Sequence, residues 1–186
     1  MADAGLNVIA DDFLHGENFK IGNFCIIEKG VNIGDNVTIG NYTMIQAGAK
    51  IDNQTTVGNF CSIGKNVHIG NNVTIKSYCE IRTNVKIGDK SSFGSRCTLC
   101  ADTIIGENVN VKYGFVTTTM DFKEKKDLVA GAVASNSIIG ANVILMPGAS
   151  IGRNAVIGAC SQVRSVVGDN EVWFGSPAKF YKLNDY

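Results

Sequence analysis

The stretch IGDNVT-IGNYTM-IQAGAK-IDNQTT-VGNFCS-IGKNVH-IGNNVT, residues 33–74, decides the fold because an aliphatic residue returns every six positions. The spacing covers sixteen consecutive positions from Ile21 to Val111, and it resumes in a shifted register from Val133 to Val163. Gly often follows the aliphatic residue, and Asn or Asp often follows the Gly. An α-helix needs a period near 3.6, so a strict period of six predicts short strands joined by fixed turns.

Each hexad also carries a small or apolar residue two positions before the aliphatic one, which is the alternation of a strand. Three hexads close a triangular coil of 18 residues, and the number of hexads predicts about seven coils of parallel β-helix. Cys61, Cys79 and Cys97 are 18 residues apart. We therefore expect them to stack on one inner wall as small buried hydrophobes rather than to form disulfides.

Composition narrows the function classes. The 186 residues contain 17 Lys and Arg against 17 Asp and Glu, so the cationic excess typical of nucleic-acid binding is missing. No run of 18 apolar residues is present, and the start Met1-Ala2-Asp3-Ala4 does not resemble a signal peptide. We expect a cytoplasmic protein with no membrane span and no nucleic-acid partner.

The hexads resemble the hexapeptide-repeat acyltransferase family, most closely its sugar and nucleotide-sugar acetyltransferases. Three C-terminal segments strengthen the resemblance: Met146-Pro147-Gly148, Ile157-Gly158-Ala159-Cys160-Ser161 and Gly175-Ser176-Pro177-Ala178-Lys179. The resemblance implies an all-β, left-handed parallel β-helix. It also implies a homotrimer that binds acetyl-CoA in grooves between subunits.

By the same resemblance, Gly140, Gly158 and Ala159 line the pantetheine arm of acetyl-CoA, and Lys179 meets a phosphate of the cofactor. The alternative for each glycine is a purely structural role at a corner of the coil. The site residues implied for the donor thus lie in the last coils of the predicted helix.

The predicted organisation is a lead-in over residues 1–18, a β-helix domain over 19–180 and a tail over 181–186. Residues 115–131 lack the hexad register, so they are predicted to form an extruded loop. In the family this loop walls the active cleft of a neighbouring subunit; the alternative is a surface loop without function. Ile104 and Phe115 are expected to be outward apolar residues at the trimer interface.

Two residues are candidates for acid–base chemistry. Members of the family that transfer an acetyl group to oxygen use a His on or beside the loop, and this loop has none. His68 is expected to point outward on a wall shared with Lys50 and Lys86, and Asp121 lies in the loop. His15 is expected to be a surface residue.

The missing loop His favours a particular acceptor. A hydroxyl must lose its proton as it attacks, whereas a neutral amine already has a lone pair. We therefore predict transfer of an acetyl group to the amino group of a nucleotide-linked sugar. Alternatives are O-acetylation with His68 as base, and a non-catalytic scaffold. A zinc enzyme resembling γ-class carbonic anhydrases needs three His per metal, and the chain has two, so no metal is expected.

Overall fold

The computed structural model describes residues 6–119 and 131–185. Each strand of the repeat is two residues long, and it pairs in parallel with the strand one coil later. Within a strand the first side chain points outward and the second points into the core, for example in Lys50–Ile51. Three sheets result, and they form the walls of a triangular prism.

The strand bounds follow the hexad period. Sheet A contains Val8–Ile9, Ile26–Ile27, Met44–Ile45, Ser62–Ile63, Glu80–Ile81, Thr98–Leu99, Val116–Thr117, Ile144–Leu145 and Gln162–Val163. Sheet B contains Leu14–His15, Asn32–Ile33, Lys50–Ile51, His68–Ile69, Lys86–Ile87, Ile104–Ile105, Ala132–Val133, Ser150–Ile151 and Val166–Val167. Sheet C contains Lys20–Ile21, Thr38–Ile39, Thr56–Val57, Thr74–Ile75, Ser92–Phe93, Asn110–Val111, Ile138–Ile139, Val156–Ile157, Glu171–Gly175 and Ala178–Leu183.

The helix has about nine coils rather than the predicted seven. Val8–Ile9 and Leu14–His15 pair with the next coil, so strands already lie within the predicted lead-in of residues 1–18. The sequence pattern misses this first coil because His15 occupies an inward position of the period. Its wall is also more exposed than the walls of later coils.

The repeat continues past residue 115, where the sequence predicts that the extruded loop begins, and residues 120–130 of that predicted loop lie outside the described residues. Phe115 is fully buried, which corrects the expectation that it points outward. The period continues to Thr117, where a polar residue replaces the aliphatic one and hides the register. The Thr117 hydroxyl accepts a hydrogen bond from the Cys100 N–H at 2.8 Å and lies 3.0 Å from the Thr103 hydroxyl. These partners compensate the burial of a polar group.

The core consists of the inward aliphatic residues, the buried rings of Phe93 and Phe115, and one column of thiols. Cys61, Cys79 and Cys97 are buried and free, as their spacing predicts, and Cys25 occupies the same column. Ile104, in contrast, is 53% exposed on sheet B, as expected for an outward residue.

The C-terminal end closes with a β-hairpin. Glu171–Gly175 adds to sheet C in parallel with Val156–Ile157, and Ala178–Leu183 returns antiparallel to it. The last strand therefore runs through residue 180, where the sequence predicts the end of the domain. Trp173 packs partly buried against the core, so the hairpin covers the end of the prism.

Candidate functional site

One edge of the prism changes character along its length. We call it the C–A edge; it consists of the turns that link sheet C to sheet A, at residues 22–25, 40–43, 58–61, 76–79, 94–97, 112–115, 140–143 and 158–161. In its N-terminal half, a side chain of the next coil accepts the N–H of each turn. The Asn23 N–H donates to Asn41 Oδ1 at 2.8 Å, and the Asn41 N–H donates to Asn59 Oδ1 at 2.8 Å. The Asn59 N–H donates to Ser77 Oγ at 3.1 Å.

This ladder stops at Ser77. The equivalent N–H groups of Ser77, Ser95, Tyr113, Ala141 and Ala159 have no acceptor within residues 6–119 and 131–185. Alanine at 141 and 159 has no side-chain oxygen to accept a hydrogen bond from the preceding coil. Since coils are about 4.8 Å apart, the C-terminal half of the edge presents a regular row of open backbone donors.

Two of the predicted cofactor residues, Gly140 and Gly158, lie on this edge one coil apart. A Cβ on Gly140 would lie 2.5 Å from the Ala159 nitrogen, and a Cβ on Gly158 would lie 2.7 Å from the Phe174 Cβ. Close packing of the coils therefore accounts for both glycines without a ligand. The feature that offers binding chemistry is the row of N–H groups, which includes Ala159 among the predicted residues.

Sequence reasoning did not single out Tyr113 or Ala141. A signal was present: the Asn23, Asn41 and Asn59 positions of the hexad give way to residues without a side-chain amide. The backbone N–H groups lose their acceptors where the Asn of the turn is replaced, and the presence of Gly does not indicate this position.

Lys179 lies close to this row through the C-terminal hairpin. It is exposed, and it stands opposite Phe174 in the antiparallel pair. Phe174 in turn contacts Gly158. The fold thus places an exposed lysine on the outer strand of the hairpin, two strands from the last coil of the C–A edge.

His68 lies elsewhere. Its register partners on sheet B are Lys50 and Lys86, as the sequence predicts, and its side chain is 46% exposed. His68 Nε2 is 2.8 Å from Asp52 Oδ2, and Lys50 Nζ is 3.0 Å from Asp52 Oδ1. Gly140 follows a strand of sheet C three coils further along. One copy of the chain therefore does not bring His68 to the donor row.

The environment of Asp52 has two opposing effects on its carboxyl. Partial burial acts to raise the pKa, while hydrogen bonds and charge from His68 and Lys50 lower it. The net result is a pKa of Asp52 below its ordinary value. The cluster is thus an ionised Asp52 carboxylate between the Lys50 ammonium group and the His68 imidazole, on the outer face of sheet B.

Two family models match the chain. The model described as bacterial transferase hexapeptide (six repeats) matches residues 14–47 and 133–165, and the one described as the GMPPB C-terminal domain matches residues 43–129. The chain resembles the hexapeptide-repeat family over these residues. The period of six in the sequence and the two-residue strands in the structure are the features that carry this resemblance.

The chain is 46% identical over 54 residues to the galactoside O-acetyltransferase of Lactococcus lactis. The match covers 28% of this chain and 26% of the relative, so the chain spans about a quarter of the curated relative it matches.

Three solved structures show how widely the fold is shared. The UDP-N-acetylglucosamine acyltransferase of Bacteroides fragilis is 21% identical with a TM-score of 0.76, over 97% of this chain and 74% of the other. The Acinetobacter baumannii LpxA structure is 20% identical with a TM-score of 0.69, over 97% of this chain and 73% of the other. The Bacillus cereus N-acyltransferase AntD, with dTDP and coenzyme A bound, is 22% identical with a TM-score of 0.56, over 81% of this chain and 84% of the other. The likeness confirms the all-β, left-handed parallel β-helix.

The remaining sequence expectations concern Asp121, metals and membranes. Asp121 lies outside the described residues. Within residues 6–119 and 131–185, no group of three or more His, Cys, Asp or Glu side chains could hold a metal ion. The same residues contain no helix that is long and apolar enough to cross a bilayer.

Proposed function

We propose that this protein transfers an acetyl group from acetyl-CoA to the amino group of a nucleotide-linked amino sugar. The observation that carries the proposal is the row of open N–H groups on the C–A edge, at Tyr113, Ala141 and Ala159. Acyltransferase names among the relatives support the reaction class. The name UDP-N-acetylglucosamine acyltransferase supports a nucleotide-linked sugar as acceptor, and the name N-acyltransferase supports transfer to nitrogen.

The donor would lie along the C-terminal half of the C–A edge. Pantetheine has two amide carbonyls, and each can accept a hydrogen bond from an N–H of the row. Lys179, at the C-terminal end, would pair with a phosphate of acetyl-CoA through a charge-assisted contact. With the phosphates at that end, the thioester points toward the middle coils, near Tyr113.

In the reaction, the amine nitrogen attacks the thioester carbonyl, the C–N bond forms, and the C–S bond breaks with release of the CoA thiol. A backbone N–H near the carbonyl oxygen would stabilise the negative charge that develops on it. An amine needs mainly alignment and later loss of one proton, which fits a donor row with no His beside it. Asp121 remains the candidate acceptor of that proton.

We propose that the working form is a homotrimer with its sites between subunits. His68 lies on sheet B and the donor row lies on the C–A edge, so the two do not meet within one prism. A second copy of the chain would bring its own sheet B against the C–A edge of the first. Ile104, exposed on sheet B, provides apolar area for that contact.

The second candidate is O-acetylation of a sugar hydroxyl. The identity with galactoside O-acetyltransferase favours it, and so does the contact between His68 and Asp52, because a carboxylate can orient an imidazole as base. In this case His68 of one subunit would have to reach the donor row of another.

The test is release of the CoA thiol from acetyl-CoA with a panel of UDP- and dTDP-linked amino sugars. We expect turnover with a nucleotide-linked sugar that carries a free amino group. We expect none when that amino group is N-acetylated, or when a hydroxyl group replaces it at position 3, 4 or 6. Products labile to mild alkali would identify esters and so favour O-acetylation. No thiol release with any sugar, together with no thermal stabilisation by acetyl-CoA, would refute the enzyme proposal and leave the scaffold.

A further inference from the structure

The N-terminal half of the C–A edge carries an exposed stack of aromatic rings. Phe24, Tyr42, Phe60 and Tyr78 follow one another at centroid distances of 4.9, 4.8 and 5.1 Å, with interplanar angles of 10° or less. The Arg96 guanidinium continues the stack, 5.4 Å from the centre of the Tyr78 ring. Tyr78 therefore holds one face of Arg96 by a cation–π contact.

Arg96 occupies an unusual backbone position. Its φ is +61°, a region that residues other than Gly and Asn rarely adopt, and Asn is the commonest residue at this turn position among the described residues. On its C-terminal side the next position of the column is Gly114, which has no side chain. The guanidinium thus has an aromatic ring on one side, and on the other side the next residue of the column has no side chain to stack on it; the Asn142 side chain of the following coil lies against Gly114.

Two lysines stand beside Arg96 on the same edge. Lys76 belongs to the coil before it and Lys112 to the coil after it, at equivalent turn positions about 10 Å apart, two coil spacings. Both are exposed, and neither they nor the Arg96 guanidinium has an acidic partner within the described ranges 6–119 and 131–185. Glu80, which begins the strand after the Lys76 turn, is paired with Arg82 at 2.9 Å.

This local excess of three positive charges contrasts with the balance of 17 and 17 over the whole chain. It also coincides with the first open backbone donors, the N–H groups of Ser77 and Ser95. Cations that surround unpaired N–H groups are suited to the oxygens of phosphate.

We propose that Lys76, Arg96 and Lys112 form a phosphate-binding site that takes the diphosphate of the nucleotide-linked acceptor. The naming of the acceptor rests on the proposed function; the phosphate site itself does not. The cofactor phosphates are assigned to Lys179, and Arg96 lies two coils N-terminal to the 140–143 turn, on the side where the thioester would point. A diphosphate held at Arg96 would therefore bring the attached sugar to the reacting end of the donor.

The test compares Arg96→Asn with Lys90→Asn. Lys90 is an exposed cation in the same coil, at the equivalent turn position of another edge, with φ of +59° against +61°. Asn is the commonest residue at this turn position among the described residues, so both variants are expected to keep the fold, as thermal unfolding will verify. The probes are UDP and dTDP for the acceptor, and adenosine 3′,5′-bisphosphate for the cofactor, measured by calorimetry at low and high salt.

We expect Arg96→Asn to weaken UDP and dTDP binding about tenfold or more, the loss typical of a hydrogen bond to a charged group, and to flatten its salt dependence. Lys90→Asn should leave all three probes unchanged. Loss of adenosine bisphosphate binding alone would overturn the assignment to the acceptor, and unchanged binding of every probe would overturn the phosphate site. If Arg96→Asn unfolds, Lys76→Gln tests the same expectation.

The two proposals fail separately. If the wild-type protein turns over amino sugars and Arg96→Asn is equally active and binds UDP equally well, the phosphate site is refuted and the reaction stands. If no sugar supports thiol release but Arg96→Asn still weakens UDP binding, the site stands and the reaction is refuted.

Discussion

Adding a cap to the open donor row should make the protein more stable and a weaker binder of CoA. The perturbation is Ala159→Asn. The N-terminal half of the edge already contains the hydrogen bond that this variant should form. There, Asn59 Oδ1 accepts the Asn41 N–H at 2.8 Å, beside Gly40. Gly140 gives the Ala159 side chain the same surroundings that Gly40 gives Asn59, so the new amide should accept the Ala141 N–H.

The magnitude follows from one hydrogen bond. A net gain of about 0.5–1.5 kcal/mol corresponds to a rise in Tm of roughly 1–6 °C for a chain of this size. If the same N–H binds pantetheine, its loss should raise the Kd for CoA by roughly 2- to 12-fold. Stability and affinity therefore move in opposite directions, which general damage to the fold would not produce.

The assay is thermal unfolding without ligand together with calorimetric titration of CoA. The matched control is Asn59→Ala, which removes the acceptor of the Asn41 N–H in the N-terminal half. It should lower Tm by a similar amount and leave the Kd for CoA unchanged. A stabilised Ala159→Asn variant that binds CoA as tightly as the wild type would refute the placement of the cofactor on this edge.

Four further outcomes are expected. Lys179→Ala should raise KM for acetyl-CoA more than it lowers kcat, since a phosphate contact is remote from the reacting carbon; an unchanged KM removes Lys179 from the site. His68→Asn should keep most of kcat at pH 8, whereas a fall of about 10²–10⁴-fold would identify it as the base. Because the folded pKa of Asp52 is depressed, its ionised form stabilises the protein above its ordinary pKa of 3.8, and this contribution is lost as the pH falls through the folded value. The Tm of Asp52→Asn should therefore respond less to acid below pH 4 than that of the wild type, and parallel curves would contradict this. Sedimentation should show a trimer, and a monomer at micromolar concentration would count against sites between subunits.

The sequence predicts the walls of the prism well because their rule is local. An inward aliphatic residue every six positions determines which side of each two-residue strand is buried, and this periodicity is readable without knowledge of distant contacts. It fails where a polar residue occupies the inward position. Thr117 is buried because Cys100 and Thr103 supply partners, and no pattern along the chain reveals those partners in advance.

The candidate site was less predictable, because its chemistry belongs to the backbone. Gly140 and Gly158 indicate a corner, but the packing of one coil on the next accounts for both glycines. The open N–H of Ala141 results from the residue 18 positions later, so it becomes visible only when the coils are stacked. The contact of Arg96 is equally non-local, because its aromatic partner Tyr78 belongs to the previous coil.

The column of buried thiols makes the coils individually observable. Cys25, Cys61, Cys79 and Cys97 lie in different coils, and each is free and inaccessible in the folded chain, while Cys160 is exposed. Burial raises the pKa of Cys25, and the contact with Cys79 together with burial raises that of Cys61, which further suppresses the reactive thiolate. Each coil of a solenoid is held by its neighbours alone, so such a fold can open from an end. Alkylation followed by peptide mass spectrometry would then show the order in which the coils unfold, because each buried thiol reacts only when its own coil opens. If the N-terminal coil opens first, Cys25 should be labelled before Cys61, and Cys61 before Cys79.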